Sequence, residues 1–391
     1  MKYKAFKTEL KPNNKQKTLF LKHAGCARVV YNWGLNLLKE DYESGRKELK
    51  PNAYALSKLL TQKKKTDFPW MKELSSETPA HALANLESAY KRFFKTKKGF
   101  PQFKKKGKHD SFSVRSSITV YDNKIKLPKI GIVRLKESGY IPLGKPKSAT
   151  ISLKAGRWFI SVSCEVEPEK IKYNDDTLGV DLGIKSLVTC SDGTVIKNKD
   201  SIKIYEKKLS KLQKKLARQQ KGSKSRENTK KSIQKVYFKI TNIRKDVLHK
   251  TTSLLVKAKP EGTIVIEDLN VKGMVKNRKL ARAISRIGFG EFRRQIEYKS
   301  DWYGKKVVIA DRFFPSSKMD HKTGEVNENL KLSDRIIYHS DGTFTDRDLN
   351  AAINLRNYAA GLAAGGDGKF IESKDSRCPS VKPKKNRKEE V

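Results

Sequence analysis

The spacing of apolar residues changes twice along this chain, and a chain whose hydrophobic period changes cannot fold as one repeating architecture. Over residues 13–100, side chains such as Leu19, Leu21, Val29, Val30, Leu35 and Leu38 recur at helical spacing. A helix over 78–95 would carry Leu83, Leu86, Tyr90 and Phe93 on one face, with Thr78 as its cap and Pro79 at its first position. Residues 111–167 instead alternate apolar and polar, as in "RWFISVSCEVE", between Gly, Pro and Asp-Asn turns. That period predicts a small antiparallel β-barrel with a basic outer face. From residue 177 the pattern becomes α/β. "TLGVDLGIKSLVTCSDGTVI" predicts a strand, a turn and a second strand, and 203–258 a long charged helical hairpin broken at "KGSKSREN". "GTIVIEDL" and "KKVVIAD" read as short strands buried on both faces. The expected fold class is therefore multidomain, with all-α, all-β and α/β parts. The Gly-, Ser-, Lys- and Pro-rich tail 366–391 is expected to be disordered.

Charge narrows the function. Lys plus Arg number 86 against 42 Asp plus Glu, a formal net charge of +44 spread along the whole chain. Such a field repels itself unless a polyanion neutralises it, so the expected partner is nucleic acid. A ribosomal-type scaffold or a membrane-surface protein would share the charge. No apolar run approaches a membrane span, and "MKYKAFKTEL" does not read as a signal peptide. Cys26, Cys164, Cys190 and Cys378 stand singly, as reduced thiols of a cytoplasmic protein do.

Three acids stand out against this background. Asp181 sits inside the apolar strand "LGVDLGIKSL", where a carboxylate is costly unless a cation meets it. Glu267 ends the apolar run "TIVIED", and Asp348 begins the helix "DLNAAINL", whose Ala351 and Ala352 would let the backbone lie close to a sheet. Taken alone, each could be a turn or cap residue. Together they can converge on Mg²⁺ or Mn²⁺, the ions that hard oxygen ligands favour. A pair of such ions would clamp the attacking and leaving oxygens of a phosphodiester. Of the neighbouring acids, Asp341 precedes Gly342 in a turn-like "SDG", and Asp346 reads as a helix cap.

The segments "GVDLGIKSL", "IVIEDLNVKGM", "RRQIEYKSDWYGKKVVIADRFFPSSK" and "DRDLNAAINL" occur in that order, and "LKPNNKQKTLFLKHAGCARVVYNWGL" precedes them. Together they resemble the transposon-encoded TnpB proteins, relatives of type V CRISPR effectors, over residues 1 to about 358. The resemblance implies an RNase-H-like RuvC nuclease domain with a long helical hairpin insert, a wedge β-barrel and a helical recognition domain. It implies a bacterial or archaeal protein held near the nucleoid by DNA, with a guide RNA from the transposon end and target double-stranded DNA as partners. It carries the family's catalytic, metal-holding triad onto Asp181, Glu267 and Asp348. The domains expected are a wedge barrel over 1–12 and 101–172, a recognition domain over 13–100, a nuclease domain over 173–312 and 346–365, and a nuclease-associated loop over 313–345. A nuclease-inactive RNA-guided repressor, or a transposase accessory protein, would share much of this pattern.

One departure concerns zinc. The family usually carries two CxxC pairs before the third acid, but here the matching positions hold Asp320, Thr323, Tyr338 and Asp341. Thr and Tyr are poor zinc ligands. No zinc is expected, although Asp320, His321, His339 and Asp341 could regroup around a metal. Packing of Leu330, Leu332, Ile336 and Ile337, with a strand at "RIIYH", is expected to hold the loop instead. For nucleic acid, His81, Asn85 and Lys91 on helix 78–95 are candidate readers of a short transposon-adjacent motif. Each of these three could equally be part of a solvated helix face, while Lys318 and Arg335 are candidate holders of the scissile phosphate or, equally, make ordinary backbone contacts.

Overall fold

In the computed structural model the described residues are 2–198, 201–278, 280–331, 333–363 and 370–371. They divide into two compact units, residues 1–167 with 222–238, and 168–221 with 239–391.

The first unit begins with strand β1 (Lys2–Lys11), then helices α1 (Asn14–Glu43), α2 (Ala53–Thr66) and α3 (Glu77–Thr96). Six short strands follow: β2 (Ser111–Val114), β3 (Thr119–Val120), β4 (Lys124–Leu127), β5 (Gly131–Leu135), β6 (Ser148–Lys154) and β7 (Arg157–Val166). Their order is β2-β6-β7-β1-β5-β4-β3, with every pairing antiparallel. Residues 2–9 of β1 pair with β7, whereas Leu10 and Lys11 pair with β5, so β1 carries the sheet around a corner. The ladders leave β2 and β3 as its two ends, and backbone pairing among the described residues does not close it into the expected barrel.

The helices do not form a separate domain either. Phe20, Val30 and Leu35 of α1, Leu83 and Leu86 of α3, and Ile125, Ile151 and Ile160 of the sheet belong to one buried cluster. Phe20 sits edge-on to Trp158 at 4.9 Å between ring centroids. Each such fully buried large side chain contributes on the order of 2 kcal/mol, so cutting the chain at residue 100 would expose a shared core.

Two local readings change. Leu21 is exposed, lying on the solvent side of α1. Thr78 lies inside the first turn of α3, whose cap position is Ser76, and no side chain caps that end. Ser76 has helical backbone angles, the Thr78 N–H donates to the Ser75 carbonyl at 3.1 Å, and Pro79 has no N–H to give. At α1 a side chain does cap the helix. Asn13 Oδ1 accepts from the Gln16 N–H at 2.8 Å, and Gln16 answers from its side chain at 3.1 Å.

The second unit is built on strands β8 (Asn174–Asp181), β9 (Ser186–Cys190) and β10 (Val195–Lys197). The helical hairpin follows as α4 (Ser201–Arg218) and α5 (Lys224–Ser253), ending in a π-helical turn, Leu254–Ala258. Residues 222–238 of this hairpin group with the first unit, where Phe238 packs on Phe159 at 5.4 Å, so the expected nuclease domain 173–312 is not one contiguous body. Then come β11 (Glu261–Glu267), α6 (Val271–Met274), α7 (Ala281–Ile287), α8 (Phe289–Tyr303) and β12 (Lys306–Ala310). A small hairpin of β13 (Ile336–Tyr338) and β14 (Phe344–Asp346), helix α9 (Arg347–Ala363) and strand β15 (Phe370–Ile371) complete it.

The six-stranded sheet runs β10-β9-β8-β11-β12-β15. β8, β11 and β12 are parallel to one another, and the outer strands run antiparallel. Both faces of the parallel core are covered. Leu178, Val180, Ile264 and Ile266 are buried with Phe292 and Ile296 of α8, while Val265 and Val308 are buried with Leu355 and Ala359 of α9. That two-sided burial is why these strands are unbroken apolar runs. β15 pairs with β12 within the tail expected to be disordered, and the other tail residues, 366–369 and 372–391, lie outside the described residues.

Candidate active site

Strand register brings the first two acids together. Val180 of β8 stands opposite Ile266 of β11, so Asp181 and Glu267, one residue further on each, lie side by side where both strands end. Side chains two apart share a face of a strand. Val265 faces α9 and Gly179 lies against it, so Glu267 and Asp181 point to the α9 side. Asp348 lies in the first turn of α9. All three carboxylates therefore meet on one face.

The electrostatics show how close they are. Asp181 is 8 % exposed. Burial, then the charges of Glu267 and Asp348, push its carboxyl well above the usual carboxylate range, and the Leu182 N–H and Arg347 only partly oppose them. Burial also raises the Glu267 carboxyl, against a hydrogen bond from the Ser316 hydroxyl. Among the described residues the arginines nearby, Arg293 and Arg312, pair with Asp268 and not with any of the three acids. Three crowded carboxylates, one deeply buried and only partly offset by Arg347, fit a hard divalent cation.

The neighbouring acids have other tasks. Asp346 Oδ1 accepts the N–H groups of Asp348 at 2.9 Å and Leu349 at 3.3 Å, which makes it the cap of α9. Asp341 accepts from the Thr343 N–H at 3.0 Å in a turn through Gly342. Sequence reasoning missed four residues around the acids: Ser316, Arg347, Asn350 and Asn354. Asn350 and Asn354 are fully buried, and both donate to the Met319 carbonyl at 2.6 Å. Polar residues four apart on the packing face of an Ala- and Leu-rich helix were the available signal. Arg347, 8 % exposed, holds the carbonyls of Ser317 at 3.2 Å and Lys331 at 2.9 Å.

Three family profiles match the chain: a helix-turn-helix domain over residues 1–47, a probable transposase of the OrfB, IS605 type over 161–278, and a Cas12f1-like TNB domain over 289–355. A Streptomyces pristinaespiralis protein named "Putative RNA-guided DNA endonuclease" is 36% identical over 382 residues, covering 96% of this chain and 94% of that one. The chain belongs to the TnpB family. A relative of the same printed name from Escherichia coli (strain K12), InsQ, is 32% identical over 387 residues, covering 94% of this chain and 95% of that one. Among solved structures, "Cryo-EM structure of the Cas12f1-sgRNA-target DNA complex" aligns with TM-score 0.58 at 15% identity, covering 88% of this chain and 82% of that one. At that identity it speaks for the shared fold alone.

In this TnpB-family chain the loop before α9 does not offer the four-ligand zinc set. Tyr338 is 77% exposed. Lys322 Nζ takes Asp341 at 2.6 Å and Thr343 Oγ1 at 2.7 Å. Asp320, His321 and His339 do meet, with one potential ligand atom of each within 4.8 Å of the others. Several of their polar atoms are engaged in hydrogen bonds. His339, buried, donates from Nδ1 to Asp320 at 2.8 Å and faces the Thr345 hydroxyl with Nε2 at 2.7 Å. His321 Nδ1 and its backbone N–H both meet Asn350 Oδ1, at 2.8 and 3.0 Å. β13 and β14 supply the expected hairpin. Of the four apolar side chains expected to hold it, one is buried among the described residues. Ile337 is buried, but Ile336 is 42% exposed, Leu330 is half-buried, and Leu332 lies outside the described residues.

The expected nucleic-acid contacts are scattered. His81 is half-buried and Asn85 exposed one turn later on α3, in the first unit. Burial and then Arg115 lower the His81 imidazole, against Glu77. Lys91 is tied to Glu87 at 2.7 Å. Lys318 Nζ donates to the Glu328 carbonyl at 3.1 Å, closing the loop on itself. Arg335 is exposed, and its carbonyl accepts the Arg347 N–H at 2.9 Å, one residue from Asp348.

Proposed function

We propose that this protein is an RNA-guided DNA endonuclease of a bacterial or archaeal transposon, with a RuvC-type site at Asp181, Glu267 and Asp348. The convergence of those three carboxylates, only partly offset by Arg347, in a chain of charge +44 supports the reading most directly. Bound Mg²⁺ or Mn²⁺ would generate the attacking hydroxide and stabilise the leaving oxygen of the cleaved phosphodiester. The protein's part is geometric. Asp181 and Glu267 are fixed by strand register, Asp348 by a capped helix end, and the two-sided packing of the sheet keeps all three in place. Sequence choice would come from a guide RNA made at the transposon end, paired with one strand of target double-stranded DNA. His81 and Asn85 are the proposed readers of the adjacent motif, and the exposed Arg335 a phosphate contact near the cut. The loop before α9 is proposed to need no zinc, because it offers no thiolate and because Asp341 and both His339 ring nitrogens are engaged by protein groups.

The test is substitution. Asp181→Ala, Glu267→Ala and Asp348→Ala should each abolish guided cleavage while leaving guided DNA binding largely intact. Asp346→Ala should keep measurable cleavage, since it loses only a helix cap, about 1 kcal/mol. Cleavage by Asp348→Ala together with a dead Asp346→Ala would overturn the assignment.

A further inference from the structure

Glu267 differs from the other two acids in having a side-chain hydroxyl on it. Ser316 Oγ donates to Glu267 Oε1 and thereby distinguishes the two carboxylate oxygens, one engaged and one available. Ser316 is 2% exposed, so this hydroxyl does not exchange partners with solvent. Its backbone is pinned on several sides. The Ser316 carbonyl accepts from Asn354 Nδ2 at 2.9 Å, its N–H donates to the Phe314 carbonyl at 2.9 Å, and the next carbonyl, Ser317, accepts from Arg347 at 3.2 Å. Asn354 and Arg347 both stand on α9, the helix that carries Asp348. The hydroxyl that orients the second acid is thus placed by the helix that presents the third.

From this geometry we infer that Ser316 is a positioning residue, holding Glu267 in the orientation in which its free oxygen meets the catalytic cation. A glutamate side chain has three rotatable bonds, and among the described residues no other group donates a hydrogen bond to it. Groups that hydrogen-bond a metal-ligating carboxylate set its orientation, and removing them weakens metal affinity or activity about 10- to 100-fold. The inference rests on the assignment of Glu267 as a metal ligand, so the experiment includes a variant that tests that assignment alone.

The protein, purified with its copurifying RNA, is titrated with Mn²⁺, and binding is read from loss of the free-ion electron paramagnetic resonance signal. Melting temperature and guided DNA binding are measured alongside. Ser316→Ala should weaken Mn²⁺ binding about 10-fold, and its cleavage should fail at low Mn²⁺ but recover at high Mn²⁺. Its melting temperature and DNA binding should match the wild type. Ser316→Thr, which keeps the donor, should restore Mn²⁺ affinity. Glu267→Gln should lose both Mn²⁺ binding and cleavage. Wild-type Mn²⁺ affinity and metal dependence in Ser316→Ala, beside a Glu267→Gln that has lost them, would overturn the positioning role and leave the triad standing. Undiminished Mn²⁺ binding by Glu267→Gln would overturn both. A fall in melting temperature for Ser316→Ala with unchanged Mn²⁺ affinity would make Ser316 a packing residue and end the proposal.

Discussion

A Cβ atom at Gly179 would lie 1.9 Å from the Ala352 carbonyl oxygen and 2.6 Å from the Arg356 nitrogen. Strand β8 and helix α9 touch backbone to backbone at this point, with Ala351 and Ala352 buried beneath the contact. The closeness sets the depth at which α9 seats, and so how near Asp348 comes to Asp181. Gly179→Ala should therefore cost at least about 3 kcal/mol, at the upper end of overpacking effects, because backbone must move rather than a rotamer. It should lower cleavage even below the melting transition. Denaturant unfolding and cleavage measured at low temperature check both effects, and a wild-type-like Gly179→Ala would show that α9 is not seated here.

Crowded carboxylates should make the metal-free site a source of instability. Asp181 faces Glu267 and Asp348, and Arg347 only partly offsets their charges. Asp181→Asn removes one buried charge at nearly constant volume, and should stabilise the metal-free protein by on the order of 1–2 kcal/mol while abolishing cleavage. Saturating Mg²⁺ should stabilise the wild type and not the variant, which reverses the order. Thermal melts in chelator and in Mg²⁺ decide this, and a variant less stable than wild type in chelator would contradict it.

Zinc removal should leave the loop before α9 intact. A zinc-selective chelator that spares Mg²⁺ is expected not to lower the melting temperature, and elemental analysis should find no stoichiometric zinc. His339→Leu should destabilise by about 2 kcal/mol, because Asp320 and Thr345 lose their shared partner in a buried setting. Asp341→Ala, at an exposed ion pair, should change the melting temperature little. One zinc per chain, lost on replacing His321 and His339, would instead show that the three clustered side chains bind metal.

Lys305 should make stability depend on alkaline pH. It is 5% exposed, donates to the Leu255 and Lys259 carbonyls at 2.9 and 2.8 Å, and lies over the Tyr173 ring. Burial pushes its ammonium down from 10.5 to about 8, with Glu261 opposing. The folded chain therefore binds fewer protons than the unfolded one between those two values, so stability from this group rises with pH there. Relative to Lys305→Met, the wild type should gain at most about 3 kcal/mol between pH 8 and 10.5. Parallel pH profiles for the two proteins would rule this out.

Much of the architecture was legible because burial imposes a period on sequence. The helices of 13–100, the alternating strands of 111–166 and the unbroken apolar runs of β11 and β12 could each be read from local spacing. The three acids were legible for a related reason. A charge inside or at the end of an apolar strand has few structural explanations, and Asp346 could be set apart as a cap by its place before the helix. What local spacing does not encode is which faces share a core. The helices and sheet of the first unit form one cluster, and residues 222–238 group with it, because long-range packing decides that. The same holds for the polar network. Ser316, Arg347, Asn350 and Asn354 look unremarkable in sequence and act only through partners 13 to 49 residues away. Hydrogen bonds between such distant residues exist only once the chain has folded, so tertiary structure alone decides how Glu267 is held and what takes the place of thiolates before α9.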